Sequence, residues 1–398
     1  MRYEQELLSN MSFVPFGDLL LEPLRNGLTK PKAVRGDGVK MIGMGEIFAN
    51  SRIGAISMSR VPVTEKELSN NCIKNGDILF ARQSLALEGA GKCSIVIDVT
   101  EETVFESHLI RARIDSSKAN PYFVYYYFNS YVGKEHIKTI VEQVAAAGIR
   151  GSDLVRLKVP CPDLETQDRI AAILSALDEK IAINRAINDN LEQQAKALYQ
   201  QMFIDNPVPG GCIGTLSDIA DITMGQSPNG SSYNEDGNGT VFFQGRAEFG
   251  FRFPSVRLYT TEPKRMACTN DTLMSVRAPV GDLNVAYTDC CIGRGLAAIH
   301  SKSNQQSFIL YTMFSLRKQL DVFNGEGTVF GSINRTSLNE LPIFIPSDRE
   351  IVKFEAIVAP IDAAIRNNYE EICRLEKIRD TLLPKLMSGE LDVSAVEL

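Results

Sequence analysis

Three groups of residues have the types and spacing that could support chemistry. Ala86-Leu-Glu-Gly-Ala-Gly-Lys-Cys93 carries the glycines of a phosphate-binding loop. Such a loop ends in Gly-Lys-Ser/Thr, because the hydroxyl after the lysine must reach magnesium. Cys93 takes that place here, and Ser94 to Val99 reads as a strand, where a phosphate loop must open a helix whose N-terminus holds the anion. Gly89 and Gly91 therefore read as a turn. Asn120-Pro-Tyr-Phe123 is similar to the Asn-Pro-Pro-Tyr/Phe tetrapeptide of amino-methyltransferases, but it lacks the second proline and has no glycine-rich cofactor loop upstream. It reads instead as the start of an aromatic helix, Tyr122 to Phe128, with its tyrosines packed inside. The third group is the three histidines, His108, His136 and His300, and the eight cysteines. They are scattered and form no Cys-x-x-Cys pair, so neither a zinc site nor a nucleophile, base and orienter can be assembled from them. The sequence predicts no catalytic residue and no metal ligand, and leaves any chemistry to another subunit.

The elements that would carry a binding function are organised by an internal repeat. Leu157-Lys-Val-Pro-Cys-Pro162, then Ile170, Leu174, Leu177, Asp178, Ile181 and Asn184, recurs 184 residues later as Leu341-Pro-Ile-Phe-Ile-Pro346, Phe354, Val358, Ile361, Asp362, Ile365 and Asn368. The match fails at Asn188/Ile372 and Ala195/Arg379. Within each copy the apolar positions step by three or four, the stripe of one long amphipathic helix. About 40 residues at 1.5 Å give roughly 60 Å. Such a helix needs a partner for its stripe, and the simplest partner is the other copy, running antiparallel. Asp163, and Ser347 with Glu350, supply N-cap chemistry. Pro360 should kink the second helix near its start. Asn184 and Asn368 either pair to fix register, as buried asparagines do in coiled coils, or lie at the stripe's edge.

Upstream of each helix lies a mixed α+β unit of many short strands. Phe16-Gly-Asp-Leu19 resembles Leu216-Ser-Asp-Ile219, and the loops Asn26-Gly27 and Gly225 to Gly230 follow them. Gly76 to Arg82 resembles Asn270 to Arg277, a strand ending in arginine, and Cys93 to Ile97 resembles Cys290 to Ile292. Met202 to Gly211, with two prolines and two glycines, reads as the hinge between the halves. The expected fold is thus α+β, with domains at 1–162 and 207–346 and helices at 163–206 and 347–398.

The net charge of −7 argues at first against nucleic acid, which usually needs a basic surface. Its distribution removes that objection. Lys+Arg against Asp+Glu is 19 to 16 for 15–160 and 11 to 12 for 212–346, but 4 to 8 for 163–206 and 7 to 11 for 347–398. The acid collects in the helices and leaves the other segments near neutral, which suggests that a partner supplies part of any phosphate grip. Met1 to Asn10, with Glu4 and Glu6, lacks the apolar run of a signal peptide, and no later stretch is apolar for long enough to span a membrane. A cytoplasmic protein without membrane association is expected.

Domain, helix, domain, helix: the pattern closely resembles the specificity subunits of type I restriction-modification systems. It is carried by Pro162 to Ile181, similar to the family's Pro-x-x-x-Glu-Gln-x-x-Ile-x-x-x-Leu-x-x-Leu-Asp-x-x-Ile, and by Leu383-Pro-Lys-Leu-Met-Ser-Gly-Glu-Leu391. The Glu-Gln pair appears here as Thr166-Gln167 and Glu350-Ile351. The resemblance implies two pseudo-symmetric target-recognition domains held apart by the two antiparallel helices, each reading one half of a split target on double-stranded DNA. It also implies that two modification (methyltransferase) subunits dock on the helices, that restriction (translocase/nuclease) subunits can join, and that S-adenosylmethionine, ATP and Mg2+ bind those partners, none binding this chain. The expected DNA contacts are loop residues near strand ends. In the first domain these are Lys30, Lys32, Arg35, Lys40, Arg52, Arg82 and Gln83. In the second they are Gln226, Ser227, Asn229, Gln244, Arg246, Arg252, Arg257, Arg277 and Arg294. Each could equally be a solvated surface group. Phe242, Phe243, Phe249, Phe251 and Phe253 read as core before they read as base-stacking residues. The acidic faces Asp178, Glu179, Asp189, Glu192, Glu370, Glu371 and Glu376 either meet basic patches on a modification subunit or face water. The competing reading is a pseudo-symmetric scaffold whose domains bind protein.

Overall fold

The computed structural model describes residues 12–143, 147–207, 209–325 and 331–393; the acidic residues Glu4 and Glu6 lie outside them. Two compact units form. The first comprises residues 1–183 and 371–398, the second 184–370. Among the described residues no helix is long and apolar enough to cross a membrane.

The two stripes do form long helices, Leu164–Tyr199 and Asp348–Met387. Asp163 caps the first, its carboxylate accepting from the Thr166 amide at 2.8 Å. The second continues through Pro360 without interruption. The first helix runs through the span expected for it, 163–206, and into the start of the expected hinge: Gln200–Asp205 continues it as a π-helical turn, with Phe203 buried against Tyr199, Phe308 and Phe354. Apolar packing there overrides the nearby prolines, and the linker starts at Asn206. Within each unit the helix segments run antiparallel. In the first, Arg379 donates to Asp178 at 2.9 Å and Arg169 to the Val393 carbonyl at 3.3 Å. In the second, Asn368 donates to Asn188 at 2.8 Å, while Tyr199 and Phe203 stack on Phe354. Asn368 thus pairs across the helices with Asn188. Asn188 also donates to the Ile365 carbonyl, and Asn184 is buried on the same stripe.

The first unit is built on a five-stranded sheet in the order Arg25–Asn26, Leu109–Ala112, Ile78–Ala81, Cys93–Val96, Arg52–Ile53, with a three-stranded sheet of Ser59–Val61, Val39–Ile42 and Thr103–Phe105. Asn120-Pro121 does open the aromatic helix Pro121–Asn129. The Asn120 side chain accepts from the Tyr122 and Phe123 amides, and Phe123 to Phe128 are buried. Its Phe128 meets Phe16 and Phe80 edge-on at 5.0 and 5.1 Å. Ile170, Leu174, Leu386 and Met387 of the long helices close the same core. Each such side chain, fully buried, contributes roughly 1.5–3 kcal/mol.

The second unit repeats the plan, with strands Ala220–Met224, Leu296–Ser301, Thr272–Ser275 and Leu283–Val285 in one sheet and Gln306–Ser315 as the covering helix. Leu109 lies opposite Ala81, and Leu296 opposite Ser275, so Ala81 and Ser275 are equivalent. The match extends backward to Asp77 and Asp271, both buried, each accepting from the amide three residues before it. Gly76 and Asn270 precede them with φ of 88° and 72°. Arg113 and His300 hold the two aspartates from equivalent places on the neighbouring strand. This register corrects two sequence correspondences. Arg82 is equivalent to Val276, and Arg277 to Gln83, so the two strand-end arginines are one residue out of step and fall on opposite strand faces. Cys93–Val96 corresponds to Leu283–Val285; Cys290–Ile292 pairs parallel with Thr240–Phe243, as Thr103–Phe105 does with Val39–Ile42.

Candidate nucleic-acid interface

In the second unit, five of the nine expected contact residues come together. Gln244, Arg246, Arg257, Arg277 and Arg294 line one open cleft of about 350 Å³ with Ser275 and Glu248. Glycines set its geometry. A Cβ on Gly293 would lie 2.8 Å from the Gln244 Cα, and one on Gly295 2.8 Å from the Gln244 carbonyl oxygen. The Gln244 backbone thus packs directly against both neighbours of Arg294, and both residues line the cleft. The Arg294 amide also donates to Ser227 at 3.3 Å. Gln226, Ser227 and Asn229 follow Gly225, where a Cβ would lie 2.1 Å from the Gly293 carbonyl oxygen.

The cations in this cleft differ in how far they are committed. Arg246 is paired with Asp282 at 2.6 Å, and Arg257 with Glu248 at 2.8 Å, a bond that raises the arginine's pKa further. Arg277 and Arg294 are exposed and have no side-chain partner among the described residues. A guanidinium in that state offers its whole donor fork to a ligand.

In the first unit Arg82 lines a cleft of about 420 Å³ with Asn26, Arg150 and Ser152. Gln83 is exposed beside it in a short strand, opposite Gly148. Arg150 and Ser152 were missed by sequence reading, although Ile149 and Ile333 continue the 184-residue repeat and mark that loop as equivalent in both halves. Lys32 is exposed, while Lys30, Arg35 and Lys40 sit on a different surface and face Glu67, Glu106 and Glu101. The structure does not gather these four with Arg82.

Two expected contacts are placed elsewhere. Arg52 lies against the first long helix, bonded to the Ser175 carbonyl and Glu179 at 3.4 Å each. Arg252 is 4% exposed, with Glu192 at 3.2 Å, Asp362 at 3.4 Å and the Tyr311 hydroxyl at 3.1 Å. Burial works against its charge, but Tyr311, Asp362 and Glu192 hold the guanidinium protonated. It is an internal tie, and the expectation that it lies on an exposed loop is corrected. The same packing takes Asp178 and Glu192 off the outer acidic face: Asp178 accepts from Tyr126 and Arg379, as Asp362, its equivalent, accepts from Tyr311. Phe242, Phe243 and Phe253 are core, while Phe251 is half exposed. Among the described residues no group of His, Cys, Asp and Glu could hold a metal ion.

A family model described as the type I restriction modification DNA specificity domain matches residues 14–193. The chain is 31% identical over 397 residues to a putative type I restriction enzyme MjaX specificity subunit of Methanocaldococcus jannaschii, covering 94% of this chain and 92% of that one. The chain belongs to the family of type I restriction enzyme specificity subunits. A second specificity subunit, that of the HindI enzyme of Haemophilus influenzae, is 23% identical over 81% of this chain and 88% of its own. The crystal structure of a type-I restriction-modification system S subunit from M. genitalium matches with a TM-score of 0.60 at 18% identity, over 95% of this chain and 96% of that one, a likeness of fold. In this specificity subunit the phosphate-loop look-alike is a short 3₁₀ turn, Leu87–Gly89, leading into the strand Cys93–Val96, with Gly91 at a φ of 76°.

Proposed function

We propose that this specificity subunit reads a bipartite target on double-stranded DNA, one half-site per unit, and that it does so without chemistry of its own. The observation that carries the proposal is the cleft of the second unit, where two exposed arginines, without side-chain partners among the described residues, line one cleft with Gln244 on glycine-fixed loops. Arginine and glutamine are the side chains that make paired hydrogen bonds to base edges in the major groove. The acidic balance of the helices fits a protein whose partners add phosphate contacts. Modification subunits would dock along the helices and bring S-adenosylmethionine; restriction subunits would bring ATP and Mg2+.

The test is binding by the full chain co-expressed with its modification subunit. The expected result is a complex on one split sequence that weakens steeply as salt rises. Equal, weak binding to all duplexes would favour the protein-scaffold alternative. Stoichiometric uptake of labelled S-adenosylmethionine or ATP by the chain alone would overturn the non-catalytic reading.

A further inference from the structure

We infer that positions 83 and 277 are the equivalent base-reading positions of the two halves, Arg277 reading a guanine and Gln83 an adenine. The inference rests on the DNA-reading function proposed above. Four backbone relations make the positions the same. The residue before each, Arg82 and Val276, donates its amide to His108 and Gly295 respectively. Its carbonyl then accepts from Ile149 or Ile333, which are 184 residues apart. Gln83 lies opposite Gly148 and Arg277 opposite Ser332, again 184 apart. Both follow strands whose registers superimpose residue by residue.

The backbone is thus clamped on both sides while the side chain projects, exposed and without a partner among the described residues, at Gln83 and at Arg277 alike. A fixed backbone aims the side chain and leaves only its own rotamer freedom to be lost on binding, while the unpartnered tip has no internal bond to break. The chemistry then divides the pair. Arginine presents two parallel donors, which match O6 and N7 of guanine; glutamine presents one donor and one acceptor, which match N7 and N6 of adenine. Arg294 lies on the same cleft as Arg277, and its equivalent in the first unit is Ser107, so the second half carries the stronger guanine signature.

The experiment expresses the full chain with its modification subunit in a host lacking that methylation and reads the methylated motif by single-molecule sequencing. Arg277→Gln is expected to lower discrimination for guanine at one position of one half-site by roughly 5- to 150-fold, with adenine gaining there and the other half unchanged. Gln83→Arg should do the converse in the other half. Arg277→Lys keeps the charge but loses the fork, and should relax the same guanine while leaving the salt dependence of binding as it was. An even loss of methylation across all sites in Arg277→Gln, with Arg277→Lys normal, would make Arg277 a phosphate contact and overturn the inference. A wild-type motif left intact in all three variants would overturn it too, with the DNA-reading function standing. A wild-type complex that methylates no bipartite motif would instead remove the function on which both rest.

Discussion

Replacing Arg252 with alanine should destabilise the second unit and spare the first. The guanidinium is 4% exposed and lies between Glu192 and Asp362 at 3.2 and 3.4 Å. Its removal leaves two carboxylates facing one another with little water. Breaking a buried ion pair by deleting one partner costs roughly 3–5 kcal/mol. The lower half of that range is expected here, because the Asp362 side chain keeps 22% of its exposure and admits some solvent. The sign with pH is set by Asp362, whose carboxyl is pushed upward by burial and pulled back by Arg252. Without the arginine it rises further, so the folded state holds its proton more tightly than the unfolded chain. The deficit should be full above that raised value and shrink as the pH falls through it toward the ordinary carboxylate range. Urea titration read by brief proteolysis, with peptides mapped to 184–370 and to 12–143, gives both the magnitude and its location. A loss under about 1 kcal/mol in 184–370, or one that grows on acidification, would refute this account of the Arg252 tie. Arg252→Met with Glu192→Gln and Asp362→Asn should regain most of it.

Three further outcomes follow from the same packing. Asp77→Ala should cost more than Asp271→Ala in chemical denaturation: Asp77 is held twice at 2.7 Å by the half-buried Arg113, Asp271 once by His300, which is 52% exposed. Gly27→Ala and Gly225→Ala should each lower the melting temperature, by a cost of about 1–3 kcal/mol, because the new Cβ would sit 2.1 Å from a backbone carbonyl oxygen that cannot swing away. Thiol labelling of the native chain should modify the exposed Cys212 and Cys373 quickly and Cys268 more slowly, since Asp271 beside it raises its pKa. Cys93 and Cys290, pushed up to about 12 by burial, should stay unlabelled from pH 7 to 9 until the chain unfolds; earlier reaction would show that those strands open.

The long helices were legible because a stripe with a period near 3.6 and a 184-residue repeat are one-dimensional signals, and Asp178 and Asp362 showed as a duplicated pair. What the pattern could not say is that these aspartates face inward to tyrosines of the aromatic helices, since an acidic residue beside an apolar stripe reads as solvated. Arg252 escaped for the same reason: its partners lie 60 and 110 positions away. The strand ends were misaligned by one residue because matching arginines looked better than matching Arg277 to Gln83, and only the hydrogen-bond ladder decides such a shift. For the interface, residue type picked out loops of the second half that the fold brings to one cleft. It could not sort the committed arginines, Arg246 and Arg257, from the uncommitted ones, Arg277 and Arg294.

The composition of the first unit has a consequence for how the chain matures. Its core needs Leu386, Met387 and Val393 as well as residues from the other end of the sequence, whereas everything in the second unit is made in one uninterrupted stretch. On a ribosome, the half encoded first must wait with an open hydrophobic seam while the half encoded later is already complete. A nonsense mutation near codon 371 would therefore damage the first unit and leave the second whole.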